Sequence, residues 1–205
     1  MGAAELWAFV AAGFALVGSP GPATLSLAAA GAAFDREAAR VYLFGIVTGA
    51  ALVILAVAAG TVTAILSVPY AGAALAAVSF AYLGYLAYRI ATAPPVGTGR
   101  AAAPGFMTGL VFNLSNPKAY AAFAALFAGF DLVPDAPLRA TVLETAICFA
   151  ILIVADIAWL TAGGTLRRHL HDPRKSRAIN IAFAVLLILS VVPALAAFGW
   201  TGAPR

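Results

Sequence analysis

Charge is the first thing this sequence lacks. Its 205 residues include 12 basic and 8 acidic side chains, 10% of the chain, where a soluble globular domain carries about 25%. A soluble fold of this length keeps much of its surface in water and has too little interior to hide so apolar a chain, 63% hydrophobic. Cysteine is scarcer still: Cys148 stands alone, which excludes a disulfide framework. No metal-ligand set is visible, because His169 and His171 sit in a basic segment without a nearby cysteine or a carboxylate cluster. A glycine-rich phosphate loop ending in Lys-Ser/Thr is also missing, so ATP is not expected to drive this chain and no cofactor is expected. Nor do the apolar segments hold a Ser/His/Asp or paired-histidine arrangement, so the chain does not read as an enzyme.

What remains in abundance is apolar length. A helix needs about 20 apolar residues to cross the hydrocarbon core, and six stretches meet that need, at 5–32, 41–66, 71–91, 104–130, 138–165 and 178–200. They leave no room for a soluble domain. The predicted fold class is therefore all-α, a polytopic membrane protein of six transmembrane helices in one domain, 1–205. Ten-residue segments of alternating polarity, which a membrane barrel would show, do not occur. The first stretch is read as a retained helix rather than a signal peptide, since only Glu5 precedes its long apolar run.

The loops orient these helices. Arg36, Arg40, Arg89, Arg100, Arg167, Arg168, Arg174, Lys175 and Arg177 fall on one side, whereas the other holds Arg139 and Arg205. The positive-inside rule then places both termini outside. The net charge of +4 is mostly this topological bias. It is not the basic face of a nucleic-acid-binding domain, although the 5–6 loop is suited to anionic lipid headgroups.

Residues 1–92 and 103–205 each contain three of the helices, joined by a linker with Pro94, Pro95, Gly97 and Gly99. Three helices per half force the second half to enter from the opposite side, which is the arithmetic of an inverted repeat. Each half also interrupts its first helix, with Ser19-Pro20-Gly21-Pro22 in one and Asn113-Leu114-Ser115-Asn116-Pro117-Lys118 in the other. Proline removes a backbone donor, and glycine tolerates non-helical angles. In lipid the freed backbone groups survive only where protein or a hydrated cavity satisfies them. Paired breaks at matching places in two halves point to a transporter's binding site, with a simple proline kink as the structural alternative for each.

Two charges lie where charges are costly. At 1.5 Å per residue, Lys118 falls roughly 20 Å, Asp156 roughly 14 Å and Pro20 roughly 18 Å from the cytoplasmic ends of their helices. All three are therefore near the bilayer midplane. A charge there costs at least about 2.5–3.5 kcal/mol on insertion scales and needs a partner or a hydrated cavity. Lys118 and Asp156 either pair and lock two helices, or face a cavity and bind opposite ends of a zwitterion. In the second reading Lys118 takes a carboxylate and Asp156 an ammonium group. Burial and a nearby cation pull a carboxyl group's proton affinity in opposite directions, which makes Asp156 the proton-coupling candidate. Glu144 and Arg139 read as headgroup-layer residues, and Tyr85 and Tyr88 as interfacial anchors, with Tyr82 nearer the cavity. Gly45-x-x-x-Gly49 permits close helix approach.

Gly18-Ser19-Pro20-Gly21-Pro22, followed by Gly45 and Gly49, resembles the LysE/RhtB family of bacterial amino-acid exporters. Asn113-Leu114-Ser115-Asn116-Pro117-Lys118-Ala119 is similar to that family's Asn-Leu-x-Asn-Pro-Lys signature, and Asp156 and Asn180 are similarly placed. The resemblance spans nearly the whole chain. It departs in the last helix, where a glycine-bearing pattern is replaced by Ala184-Val185 and Pro193. It implies efflux of an amino acid or small derivative across the bacterial cytoplasmic membrane, driven by the proton gradient. It also implies Pro20, Gly21, Pro22, Asn113, Asn116, Pro117, Lys118 and Asp156 as central residues, to which the breaks add Ser19 and Ser115. It does not choose among threonine, homoserine, lysine, arginine, leucine or a less usual substrate.

The expected partners are that substrate and membrane lipid, with no nucleic acid and with a homodimer as an allowed assembly. Three rivals stand beside the exporter. A passive channel for small polar solutes would show flux without saturation. A membrane-embedded enzyme would need a nucleophile or metal cluster at depth. A structural protein would use the Lys118–Asp156 pair only as glue.

Overall fold

The computed structural model describes residues 2–60, 77, 81, 84–88, 91–92, 104–167 and 173–189. Among these, all regular secondary structure is helical. The helices are α1 (Ala3–Val17), α2 (Pro22–Ala33), α3 (Arg36–Ala58), α4 (Phe106–Leu114), α5 (Pro117–Gly129), α6 (Pro137–Arg167) and α7 (Pro173–Leu189). By length and composition α3 and α6 are each able to cross a membrane. The pair α1–α2 qualifies together, bent by 62° at its break, so the described residues contain two to three candidate spans. Most of the stretch at 71–91, the linker prolines, Tyr82, the two histidines and Pro193 lie outside the described residues.

Helix starts follow local chemistry more closely than apolar content does. α3 begins five residues before its apolar stretch because the Asp35 carboxylate accepts the Ala38 N–H at 2.9 Å, capping an otherwise unsatisfied donor. α7 likewise runs back through Arg174, Lys175 and Arg177, whose side chains are exposed. A hydropathy reading begins only where the apolar residues do. At its far end α3 stops at Gly60, whose φ of 69° is the left-handed conformation that glycine adopts without steric cost.

Polarity is distributed as in a membrane protein. Large apolar side chains such as Trp7, Phe44, Met107 and Leu138 point outward, while Asn113, Asn116, Asp156 and Asn180 are buried. Helices approach through glycine. A Cβ on Gly49 would lie 2.7 Å from the Leu110 carbonyl oxygen, and Gly45 and Gly109 are similarly pressed against backbone where α3 meets α4. The sequence motif at Gly45 and Gly49 therefore packs α3 on α4, while Gly31 and Gly163 perform the same service where α2 meets α6.

Glu144, read from sequence as a headgroup-layer residue, turns its side chain into the protein. It is 4% exposed and accepts the backbone N–H of Leu132 at 3.1 Å, tying the α5–α6 connection down onto α6. Its place near a helix end suggested an interfacial role; the long-range partner that draws it inside is invisible in linear sequence. Tyr85 and Tyr88 are exposed.

Candidate functional site

Both breaks restart their helix by the same device. Gly21 and Asn116 are extended (φ −168°, ψ −178° and φ −85°, ψ 103°), and each precedes a proline at the first helical position, Pro22 or Pro117. Proline disfavours helical angles in the residue before it, and its own missing N–H costs nothing at a helix start. Asn116 also caps α5, its side-chain oxygen accepting the Lys118 N–H at 3.1 Å.

The backbone groups freed at the first break have named partners. The Ser19 hydroxyl donates to the Leu16 carbonyl at 3.0 Å. The Trp159 indole N–H reaches across from α6 to the Gly18 carbonyl at 2.9 Å. Thr24 accepts the Gly21 N–H at 2.9 Å, and its hydroxyl lies 3.1 Å from the Gly21 carbonyl and 3.3 Å from that of Ser19. At the second break the Tyr120 hydroxyl donates to the Leu114 carbonyl at 2.8 Å, and the Ser115 N–H to that of Val111. Asn113 donates from its amide to the Ile46 carbonyl of α3 at 2.9 Å and accepts the Asn116 amide at 3.2 Å.

Lys118 joins the two breaks. Its Nζ donates to the Ser19 carbonyl at 2.7 Å and the Ser19 hydroxyl at 2.9 Å, with the Pro20 carbonyl at 3.4 Å. Those oxygens lie at the negative end of the α1 dipole, where a cation is favoured. Gly21 makes room for this arm: a Cβ there would lie 2.6 Å from both Cδ and Nζ of Lys118.

Asp156 lines the same cavity from α6. It is 1% exposed, and its buried Oδ2 has no hydrogen-bond partner among the described residues, although an unpaired buried polar atom is costly. The ammonium of Lys118 is thus held by the break, not by the carboxylate that sequence offered as its structural partner. Lys118, Asp156, Gly21, Thr24, Asn113 and Asn116 nevertheless line one cavity, whose remaining wall is apolar. Its volume is about 30 Å³, room for about two waters. An amino acid enters only if the Lys118 arm or the flanking helices move.

Of the residues singled out from sequence, Gly21, Asn113, Asn116, Lys118 and Asp156 come together around this cavity. Ser19 touches it through Lys118, while Pro20, Pro22, Ser115 and Pro117 shape the breaks behind it. Thr24, Trp159 and Tyr120 were missed. Trp159 had a signal: it lies three residues after Asp156, hence on the same helix face, with an indole N–H that needs a partner when buried.

Broken helices that bury polar groups and turn apolar faces outward define a multi-pass membrane protein built around a cavity that holds a lysine and an aspartate. The chain belongs to the LysE type translocator family, whose sequence profile matches residues 14–195. Membership makes it a membrane transporter of amino acids or related solutes, with a small-molecule substrate and a lipid surround. Neither the curated proteins nor the solved structures that were searched gave a match.

Proposed function

We propose that this chain is a secondary exporter of an amino acid or small derivative across the bacterial cytoplasmic membrane, working by proton antiport. In this reading the single domain 1–205 forms six transmembrane helices with both termini outside. Its halves, about 1–92 and 103–205, are inverted three-helix repeats that rock about the two broken helices. The matched Pro22 and Pro117 restarts support the repeat. The observation that carries the transport reading is one cavity walled by a lysine and by a buried carboxylate with an unpartnered oxygen. Lys118 meets the substrate carboxylate, trading break oxygens for it, and Asp156 takes the ammonium group or, in its absence, a proton.

Proton coupling through Asp156 has a direct test. An inward-directed proton gradient is expected to accelerate substrate efflux from proteoliposomes carrying the wild-type protein. Asp156→Asn keeps the side chain's shape but cannot exchange a proton, and should lose that acceleration. Gradient-driven efflux at the wild-type rate in the Asn variant would remove Asp156 from the coupling step.

A further inference from the structure

We infer that the substrate is a net-neutral amino acid with an aliphatic side chain, and that a lysine-like, arginine-like or acidic substrate is rejected. This inference rests on the transport reading above and narrows its substrate class.

The cavity wall carries it. Among the described residues, Lys118 and Asp156 are the charged ones lining the cavity, one of each sign, and together they match the two ends of a zwitterion. The polar lining residues are engaged with the protein itself. Thr24 serves the Gly21 backbone, Asn113 serves Ile46, and Asn116 serves Asn113 and the Lys118 N–H. What is left among the described lining to meet a substrate side chain is apolar: Leu16, Val17, Phe123 and Leu152, with alanines between them. A cationic side chain would bring a third charge into this wall with no carboxylate among the described lining residues to receive it, and an acidic one would lack a second cation there. A buried unpaired charge is among the costliest features a complex can contain. A hydroxyl is a milder intruder, because an apolar pocket discriminates only modestly against a near-isostere that adds one. The order expected is leucine and valine first, threonine below them, and lysine, arginine and glutamate last.

The test is counterflow in proteoliposomes containing the full chain, each preloaded with an unlabelled amino acid and offered the same one radiolabelled. Leucine or valine should exchange at least tenfold faster than lysine, arginine and glutamate. Equal or faster exchange of lysine, arginine or glutamate would overturn the substrate inference while leaving transport standing. Exchange of no amino acid in the panel would overturn the transport reading itself, and the substrate inference with it. A second variant asks the same question of the wall. Leu16→Glu places a carboxylate at a residue that lines the cavity and is 37% exposed. It should raise the lysine-to-leucine exchange ratio about tenfold, and an unchanged ratio in folded protein would count against an apolar wall that sets selectivity.

Discussion

Proteoliposomes carrying Lys118→Ala are expected to show counterflow no faster than empty liposomes, while the variant remains folded and membrane-inserted. Lys118 is the cation of the cavity wall, so its truncation leaves a substrate carboxylate facing carbonyl oxygens. Truncating one partner of a buried, hydrogen-bonded charge pair costs about 2–5 kcal/mol, which is about 30-fold to several thousand-fold in affinity. The fold should tolerate the change better than the function does. Of the oxygens that lose a donor, the Ser19 carbonyl keeps the Thr24 hydroxyl at 3.3 Å, and the Ser19 hydroxyl still donates to Leu16. Helicity and size-exclusion behaviour in detergent should therefore match wild type. Transport by the alanine variant at the wild-type rate would remove Lys118 from the site.

The second large effect is structural. Gly163→Leu is expected to abolish recovery of monodisperse protein, because a Cβ at Gly163 falls on the backbone of Ala28. Overpacking a well-filled interior costs about 1–3 kcal/mol when side chains are able to shift, and here the obstacle is main chain. Gly31 is pressed in the same way against the Leu160 carbonyl, so neither helix has slack at this crossing. The consequence reaches the site, since α2 carries Thr24 beside the first break and α6 carries Asp156 and Trp159. Gly129→Leu is the control: nothing lies within 4 Å of a Cβ there, and the protein should be recovered normally. Equal recovery of the two variants, measured by size exclusion after detergent extraction, would contradict the close α2–α6 crossing.

The breaks and the two charges were legible in the sequence because they are local facts. A proline lacks an N–H in any environment, and a lysine or aspartate in a long apolar run is conspicuous whatever surrounds it. Partners were not legible. Sequence placed Lys118 and Asp156 at similar depth and left open whether they touch; the three oxygens that hold the ammonium belong to residues about a hundred positions earlier. Asn113 read as a substrate ligand, yet its amide also braces Ile46, 67 residues away. Trp159 closes a gap 141 residues away at Gly18. The burial of Glu144 was hidden for the same reason, its partner being a backbone N–H in a connection with no motif of its own. Periodicity and composition locate helices and costly residues. Which residue answers each cost is decided when distant segments pack.

The reading turns on whether Lys118 and Asp156 contact a substrate or only hold the helices together, and the doubly swapped variant Lys118→Asp with Asp156→Lys separates the two. It preserves net charge and any mutual attraction while reversing the polarity of the cavity relative to the negative end of α1. Counterflow of the amino acid that the wild-type protein exchanges fastest is the measurement to make. Folded protein without counterflow is the expected result; counterflow restored to the wild-type rate would contradict a cavity that reads the two ends of a zwitterion.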